Sequence, residues 1–370
     1  MSELELYNKR HLIQQLFYEH NVESIIDSPK HQHYRNKINL SFGLYNGMIE
    51  VGTLQKDFTV LPANQNNKCS MIAIKICEFI RDWVRSESKL KIVNNQDYSG
   101  FWRHITIHNN RLNHIMIILH LQNLEFEYKD TWELELCDLK FKLAKFIEQN
   151  NYFLYSIYIQ HSNSKKETRN TDPYYLVYGD IGFVEVLDNY KFGISPGSFF
   201  QVNSETAEII YQKVYELSEL SENKIVLDLC CGTGTIGTYL AKGCKKVYGI
   251  DCSESNIRDA NKNRYINQAT NQTFYCGKVE FVVPKIKMMI NDEDVIAIIN
   301  PPRKGLEKKM ALFLKSYSMI KQIIYISCNP NTLKRDMDIM NFSNDQIKNI
   351  IPVNQFPESN HCEVIVNIKK

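Results

Sequence analysis

The C-terminal half of the chain alternates short apolar runs with amphipathic stretches. The apolar runs, which predict buried strands, are Ile225–Leu229, Lys246–Asp251, Gln272–Tyr275, Val295–Ile299 and Ile323–Ser327. The stretches between them predict helices over residues 236–242, 253–267 and 307–316, and residues 204–218 predict an earlier helix capped by Ser204. Strands that alternate with helices are typical of a doubly wound, mostly parallel sheet with right-handed crossovers. We therefore expect an α/β fold over residues 191–370.

The N-terminal half has a different pattern, with several β-type runs and fewer helical stretches. Strands are predicted over residues 37–44, 48–54, 104–108, 113–122, 153–160 and 182–187, and helices over 3–20, 70–86 and 131–148. Tyr45-Asn46-Gly47 predicts a hairpin turn between the first two strands, because Asn-Gly readily adopts positive φ angles. The polar run 162–172 predicts a loop. Residues 1–190 therefore predict a smaller α+β domain, joined to the next domain through residues 192–203.

Composition and charge are those of a soluble globular protein. The 370 residues are 44% hydrophobic and 23% charged, and no apolar run reaches the ~18 residues that a membrane-spanning helix needs. The ten cysteines are scattered without metal-ligand spacing, so we expect no metal and a reducing compartment. We further expect a cytoplasmic monomer without a membrane partner. The net charge of +2 means that any nucleic-acid-binding surface must be local.

A glycine-rich turn follows the first predicted strand of the C-terminal half and indicates a nucleoside pocket. Gly232-Thr233-Gly234 lets the backbone approach a ligand closely. Asp251 ends the next strand, where a carboxylate can accept hydrogen bonds from ribose hydroxyls. Taken alone, these residues are equally compatible with NAD and a dehydrogenase. The ligand class therefore depends on the ends of the neighbouring strands.

Two neighbouring strand ends carry groups that favour transfer of a chemical group to a base. Asn300-Pro301-Pro302-Arg303 follows one apolar strand as a rigid polar turn, and Cys328 follows the next strand. Pro330 suits the first turn of a helix, whose N–H groups favour a thiolate at Cys328. A buried, unreactive cysteine is the alternative for Cys328 taken by itself. A thiolate beside a nucleoside pocket fits group transfer better than hydride transfer.

Four motifs, in this order, resemble those of the S-adenosylmethionine-dependent RNA uracil-5-methyltransferases. They are Asp228-Leu229-Cys230-Cys231-Gly232-Thr233-Gly234, Asn300-Pro301-Pro302-Arg303, Ser327-Cys328-Asn329-Pro330, and Phe356-Pro357 with His361-Cys362-Glu363. Ser195–Asn203 extends the similarity upstream, and the eukaryotic tRNA (uracil-5-)-methyltransferases are the branch that the chain resembles most. The resemblance implies a Rossmann-like class I methyltransferase domain preceded by an RNA-binding domain. It also implies S-adenosyl-L-methionine as the cofactor.

The resemblance further implies roles for individual residues. Cys328 would add to C6 of uracil, and Glu363 would remove the C5 proton after methyl transfer. Seven residues match the family's cofactor-binding positions: Gln201, Cys230, Gly232, Gly234, Thr235, Asp251 and Asn300. Two of them depart from the usual pattern, since Cys230 stands where an aromatic residue is common and Asn300 replaces an aspartate. Both departures are expected to weaken contacts in the cofactor pocket.

The substrate that the resemblance implies is a uridine of structured RNA, and specifically the T-loop uridine of tRNA, which would become ribothymidine. The base must leave its stack, because C5 and C6 are not accessible from both faces inside a helix. The candidate substrate contacts are Arg303, His361, Phe200, Arg35, Lys37 and Arg103. Tyr34 and Phe101-Trp102 place aromatic rings beside these cations, as base-stacking surfaces do. Core packing of the same aromatic residues explains this pattern equally well.

Four other functions account for part of the pattern. Ribosomal-RNA uridine methylation uses the same chemistry, but its iron–sulfur branch needs a cysteine cluster that this sequence lacks. Adenine amino-methyltransferases share Asn-Pro-Pro, but they usually have an aromatic residue in place of Arg303 and do not need Cys328. A tRNA-folding chaperone with dispensable catalysis is the alternative from a different class. An NAD-dependent dehydrogenase leaves every motif after Asp251 unexplained.

Overall fold

The computed structural model describes residues 3–94, 96–122, 129–162, 172–290 and 294–370. Their Cα positions form two compact units. The larger unit comprises Met1–His31, Leu187–Gly193 and Ser198–Lys370, and the smaller unit comprises Gln32–Val186 and Ile194–Gly197. Residues 1–31 thus belong with the C-terminal half, whereas the sequence pattern predicted a single boundary at residue 190. The run 162–172, predicted as a loop, lies largely outside the described residues.

The secondary structure follows the predicted alternation, with additional elements. The helices are α1 (Glu3–Leu16), α2 (Met71–Ser86), α3 (Lys129–Gln149), α4 (Ser204–Ser218), α5 (Thr235–Ala241), α6 (Glu254–Ile266), α7 (Val279–Lys287), α8 (Lys308–Ser316) and α9 (Pro330–Met340). The strands are β1 (Lys37–Tyr45), β2 (Met48–Leu54), β3 (Val60–Pro62), β4 (Trp102–Asn109), β5 (His114–Gln122), β6 (Phe153–Ser162), β7 (Tyr174–Gly179), β8 (Val184–Leu187), β9 (Tyr190–Gly193), β10 (Ile225–Leu229), β11 (Lys246–Asp251), β12 (Gln272–Cys276), β13 (Val295–Ile299), β14 (Ile320–Ser327), β15 (Ile347–Val353) and β16 (Glu363–Lys369). Helix α7 and strands β3, β7, β9, β15 and β16 had not been predicted.

The smaller unit is built on a mixed sheet in the order β3-β2-β1-β4-β5-β6-β7. Alternate residues of its central strands, including Ile38, Ile105 and Ile117, form an apolar face that packs with side chains of α2 and α3 in one core. The predicted hairpin turn joins β1 to β2, with Asn46 and Gly47 both at positive φ. The period of two along these strands places polar side chains such as Thr106 and His108 on the opposite face, where they pair with the buried Ile118 and Met116.

The larger unit is built on a second seven-stranded sheet, in the order β12-β11-β10-β13-β14-β16-β15. Strands β10 to β14 pair in parallel as predicted, whereas β16 enters antiparallel between β14 and β15. Every residue of β10 and β13 is buried, as expected of a sheet covered on both faces. The strand order reverses between β10 and β13. In open α/β sheets such a reversal opens a ligand-binding crevice at the carboxyl ends of the strands.

Two local predictions need correction. Helix α4 begins at Ser204, but its cap is Asn203, whose side chain accepts a hydrogen bond from Thr206 N at 3.3 Å. Phe101 and Trp102 are only 2% and 1% exposed and belong to the core of the smaller unit. Of the two alternatives left open for these aromatic residues, core packing is therefore correct.

The described ranges contain neither a candidate membrane span nor a candidate group of metal ligands. Within these residues, no helix is both long and apolar enough to cross a membrane. Nor does this part of the chain group three or more histidine, cysteine, aspartate or glutamate side chains as metal ligands. All ten cysteines are free thiols.

Candidate active site

The glycine-rich turn connects β10 to α5 at the point where the strand order reverses. Cys230, Gly232 and Gly234 have positive φ angles of 62°, 54° and 77°. Glycine adopts such angles without strain, whereas a residue with a Cβ does not. A Cβ added at Gly234 would lie 2.8 Å from the Phe274 ring, but one added at Gly232 would meet no atom within 4 Å. The turn is therefore packed at Gly234, open at Gly232 and strained at Cys230.

Asp251 ends β11 beside this turn. One of its carboxylate oxygens accepts a hydrogen bond from Gly232 N at 3.0 Å, and the other accepts from Ser253 N at 2.8 Å. Asn256 Nδ2 is a third donor, at 3.2 Å. These bonds hold a half-buried carboxylate in the place predicted for a ribose contact.

A second carboxylate, Asp228, is fully buried beneath the turn. Its Oδ2 accepts a hydrogen bond from Gly237 N at 2.9 Å, and within the described residues its buried Oδ1 has no hydrogen-bond partner. Burial raises the pKa of Asp228 to about 7, against the opposing effect of the Gly237 hydrogen bond. Asp228 is therefore partly protonated near neutral pH, and Asp251 is the acidic group beside the turn that suits a positively charged cofactor such as a sulfonium. Asp228 had not been predicted as a site residue.

A series of hydrogen bonds between polar side chains links the loop of the β15–β16 hairpin to the start of α5. Gln355 Nε2 donates to Gln201 Oε1 at 3.1 Å, and the Tyr211 hydroxyl lies 3.4 Å from Thr235 Oγ1. Tyr211 also interacts through a hydrogen bond with Gln201. Two predicted cofactor-binding residues, Gln201 and Thr235, are therefore connected through Tyr211. The sequence pattern had indicated Tyr211 only as one more residue of a helix.

The polar turn after β13 is fastened to the start of α9. Asn300 N lies 3.4 Å from the carbonyl oxygen of Leu229, at the end of β10. The Arg303 carbonyl accepts hydrogen bonds from Asn329 Nδ2 at 3.1 Å and from Thr332 Oγ1 at 3.2 Å. The Arg303 side chain is exposed and interacts with the thiol of Cys328. The turn thereby places the Arg303 guanidinium close to the Cys328 thiol.

Cys328 lies where β14 ends and α9 begins. Pro330 occupies the first turn of α9, as predicted, and Asn329 caps the helix. The antiparallel pairing of β14 with β16 sets Ser327 opposite Val364. The next step of the same register sets Cys328 opposite Glu363, the first residue of β16. The predicted nucleophile and the predicted base therefore lie next to each other, at the carboxyl end of β14 and the start of β16.

Both of these groups ionise less readily than they would in water. Burial is the main cause of the raised pKa of the Cys328 thiol, and the charge of Glu363 adds to it. Burial also raises the pKa of Glu363 to about 8. The Arg303 guanidinium opposes both of these changes in pKa. We expected the helix start to favour a thiolate at Cys328, but burial beside a carboxyl group outweighs that effect.

The predicted aromatic and histidine contacts of the larger unit differ in accessibility. His361 is exposed, and its ring lies 6.3 Å from that of Phe356. Phe200 is only 3% exposed and packs against Phe192, whereas the neighbouring Phe199 is 65% exposed. Phe199, which had not been predicted, is therefore the aromatic residue of this pair that a base could reach.

In the smaller unit, the three predicted cationic contacts are partly or largely buried. Arg103 is 4% exposed and donates to Gln122 Oε1 at 3.4 Å, which makes it less accessible than an RNA contact was expected to be. Arg35 and Lys37 are half-buried. Burial lowers the pKa of Lys37 to about 8. The RNA contacts of Arg35 and Lys37 stay predictions.

The strand order, the glycine turn and the acidic residue after the next strand define the larger unit as a Rossmann-like methyltransferase fold. The family model described as tRNA (Uracil-5-)-methyltransferase matches residues 2–370. The chain belongs to the tRNA (uracil-5-)-methyltransferase family. The predicted family is confirmed, and with it the predicted class of enzyme, a methyltransferase that depends on S-adenosyl-L-methionine.

Relatives from distant organisms match almost the whole chain. An uncharacterised RNA methyltransferase of Oceanobacillus iheyensis is 33% identical over 358 residues, which are 94% of this chain and 73% of that protein. The tRNA (uracil-5-)-methyltransferase homolog B of Danio rerio is 32% identical, over 92% of this chain and 75% of that protein. The homolog A of Homo sapiens is 28% identical over 93% of this chain, which spans only 57% of the human protein.

A solved structure supports the fold. The tRNA (uracil-54, C5)-methyltransferase of Pyrococcus abyssi, in complex with S-adenosyl-L-homocysteine, superposes with a TM-score of 0.75 at 24% identity. The match covers 99% of this chain and 83% of the Pyrococcus chain. It confirms the predicted α/β fold.

Proposed function

We propose that this protein transfers a methyl group from S-adenosyl-L-methionine to C5 of the T-loop uridine of tRNA. The observation that carries the proposal is that Cys328 and Glu363 lie next to each other at the carboxyl end of β14. The glycine turn follows β10 at the same end of the parallel strands. The choice of nucleotide rests on the relatives, since the Pyrococcus protein is named for uracil-54 of tRNA. The human and zebrafish proteins are likewise named for uracil-5 methylation of tRNA.

Cys328 is the nucleophile in this proposal. Uracil C5 is a weak carbon nucleophile, but addition of a thiolate to C6 converts the ring to an enolate that is electron-rich at C5. The cofactor, when bound, supplies the electrophilic methyl group. The Cys328 thiol must first lose its proton, and the neighbouring Arg303 favours this because its charge opposes the rise in the thiol pKa.

Glu363 is the base that completes the reaction. After methylation, C5 carries both the new methyl group and its original proton. The Glu363 carboxylate takes that proton, the C–H electron pair restores the C5=C6 double bond, and the C6–S bond breaks to release Cys328 as a thiolate. A carboxylate whose pKa is raised to about 8 is a stronger base than an ordinary glutamate, which suits removal of a proton from carbon.

The cofactor is proposed to bind over the glycine turn, with Asp251 on its ribose. The open space above Gly232 leaves room for it, and the Asp251 carboxylate beside the turn suits its positive charge. Gln201, Cys230, Gly234, Thr235 and Asn300 complete the proposed pocket. The structural support for this set is that all of its members lie on the turn, on the adjacent strand ends or in the series of hydrogen bonds through Tyr211.

The smaller unit is proposed to bind the RNA, and the larger unit to carry the chemistry. The target uridine must be turned out of its stack to meet both Cys328 and Glu363. The exposed Phe199 and Arg303 are the proposed contacts to the turned-out nucleotide, and His361 is a further candidate. Arg35 and Lys37 are the proposed phosphate contacts of the smaller unit.

The deciding experiment uses unmodified tRNA that carries 5-fluorouridine, together with S-adenosyl-L-methionine. Fluorine at C5 cannot leave as a proton, so methyl transfer should trap a covalent protein–RNA adduct. We expect a cofactor-dependent adduct that is lost in Cys328→Ala and retained in Cys137→Ala, which removes an exposed thiol of the smaller unit. Sequencing of the trapped RNA should identify the T-loop uridine.

Other outcomes would overturn parts of the proposal. An adduct that persists in Cys328→Ala would assign the nucleophile to another cysteine. Binding of cofactor and tRNA without any adduct would favour the chaperone alternative. An adduct on a uridine of ribosomal RNA, but not on tRNA, would keep the chemistry and replace the substrate.

A further inference from the structure

The proposed base stands at the end of a long hairpin loop. Strand β15 ends at Val353, β16 begins at Glu363, and the two residues pair across the hairpin. Residues 354–362 form the loop between them. Strand pairing fixes the backbone of Glu363 from one side, and the loop that immediately precedes it fixes the backbone from the other.

Helix α1, at the other end of the chain, holds the first half of this loop. Lys9 is only 3% exposed, and its ammonium donates to Asn354 Oδ1 at 2.6 Å and to the Phe356 carbonyl at 3.1 Å. Its third neighbour is the Glu5 carboxylate at 2.9 Å, one turn earlier on the helix. The same Glu5 oxygen accepts a hydrogen bond from Glu358 N at 3.1 Å. Two residues of α1 thus contact the loop at three points.

The segment after α1 contacts both the end of β15 and the first residue of the same loop. Ile26 N donates to the Pro352 carbonyl at 2.9 Å, and Asn354 N donates back to the Ile26 carbonyl at 2.8 Å. The Asn354 side chain also donates to Asp27 Oδ1 at 2.8 Å. Asn354 is therefore bound by Lys9 through its oxygen and by Asp27 through its nitrogen.

The hydrogen-bond partners of the buried Lys9 ammonium indicate a role in holding the loop. A buried ammonium is unfavourable unless its three protons find acceptors. Two acceptors of Lys9 belong to the loop, and the third, Glu5, binds the loop itself. Contacts with the loop and with Glu5 thus replace the hydration of the ammonium, and they favour one conformation of the loop.

We propose that Lys9, supported by Glu5, is a positioning residue that keeps Glu363 in place to remove the C5 proton. This inference rests on the proposed function. It concerns one step: the C5 proton moves to Glu363, its electron pair forms C5=C6, and the C6–S bond to Cys328 breaks. Cys328 itself is placed by β14 and the cap of α9, so loss of Lys9 should leave thiolate addition and methyl transfer largely intact.

The test compares two steps of the reaction in the full-length protein. Release of tritium from tRNA labelled at uridine C5 reports proton removal, and adduct formation on 5-fluorouridine tRNA reports the preceding steps. In Lys9→Met we expect tritium release to slow by about 10- to 100-fold, the usual cost of misplacing a reacting group by about 1 Å. Adduct formation should stay close to that of the wild type, and adduct on ordinary tRNA should accumulate.

Matched variants separate the inference from its alternatives. Lys30→Met removes another lysine of the N-terminal segment, one that pairs with Glu205 at 2.5 Å, and should leave both steps unchanged. Glu363→Gln should reproduce the Lys9→Met pattern more severely. Glu5→Gln is a milder change that should slow tritium release and leave adduct formation close to that of the wild type. It replaces Lys9→Met as the test if melting curves show that Lys9→Met does not fold.

The outcomes distinguish failure of the inference from failure of the proposed function. If the wild type neither releases tritium nor forms adduct, the proposed function is wrong. If the wild type does both and Lys9→Met and Glu5→Gln match it, the positioning role is wrong. If both rates fall in proportion in a folded variant, Lys9 supports the fold and not the base.

Discussion

The two seven-stranded sheets of this protein distribute their polar residues in opposite ways. In the larger unit, β10 and β13 are buried along their whole length, and the proposed reactive side chains, Cys328 and Glu363, lie at strand ends. In the smaller unit, β4 alternates apolar residues such as Ile105 and Ile107 with Thr106 and His108. The larger sheet is covered on both faces, so its reactive groups lie at strand ends, whereas the smaller sheet also carries polar side chains along one face.

The polar face of the smaller sheet is ordered by its register. Ser41, His104, His120 and Gln160 pair in turn across four neighbouring strands. Hydrogen bonds of 2.9 Å and 2.8 Å join the outer pairs, Ser41 to His104 and His120 to Gln160. Burial lowers the pKa of both histidines to about 4, so the row is neutral at physiological pH. These side chains are largely buried and hydrogen-bond to one another, so the row stabilises the sheet and carries no charge.

The largest expected effect on activity comes from replacing Glu363, at the start of β16 in the larger sheet. Glu363→Gln removes the proposed base but keeps the size of the side chain, so product formation should fall by about 10²–10⁴-fold. Methyl transfer from labelled cofactor should still occur, and the product should stay attached to the protein through Cys328. If free methylated RNA forms at the wild-type rate, the reaction does not depend on Glu363 at the start of β16.

A smaller effect is expected from the cation beside the two reactive groups. Arg303 opposes the rise in the pKa values of Cys328 and Glu363, so Arg303→Gln should raise both. The active forms are the thiolate and the carboxylate, and both gain population as pH rises. Activity at pH 7 should therefore fall by up to about tenfold if one of these pKa values rises by about 1, and it should recover at higher pH. A loss of equal size at every pH would instead assign Arg303 to substrate binding.

A third change tests the smaller sheet. Lys37→Met should weaken tRNA binding severalfold and reduce the slope of log affinity against log salt concentration by about 1, as loss of one phosphate contact does. Cofactor binding should not change. Lys75→Met, at an exposed lysine of α2, is the matched control and should have little effect. An unchanged salt dependence in Lys37→Met would show that this face does not bind the RNA backbone near Lys37.

The smallest effect concerns stability at the glycine turn. Cys230 has a φ of 62°, which strains a residue with a side chain, so Cys230→Gly should stabilise the protein by about 1 kcal/mol. Thermal melting of the free protein measures this. Cys276→Gly, at the end of β12, should do the opposite, because glycine weakens a strand. A destabilised Cys230→Gly would mean that the packing of the thiol outweighs the strain.

The bounds of several strands follow from the sequence pattern, whereas the burial of individual side chains does not. The strands β10, β11 and β13 have the predicted bounds, and Pro330 starts α9 as predicted. The accessibility of aromatic side chains was less predictable: Phe200 is buried and Phe199 is exposed, although the two are adjacent and identical. Nothing in the local pattern distinguishes them, since burial depends on which elements pack over each side chain.

The local features of this protein follow from its sequence alone: the alternation of strands and helices, the glycine turn and the delivery of Cys328 to a helix start. These depend on backbone sterics and hydrogen bonds between near neighbours. The antiparallel insertion of β16 beside β14, which sets Glu363 opposite Cys328, is visible only in the folded molecule. So is the contact between Lys9 and Asn354, which lie 345 positions apart. Such contacts, and the pKa values that follow from burial, arise from the packing of distant segments, which no local pattern encodes.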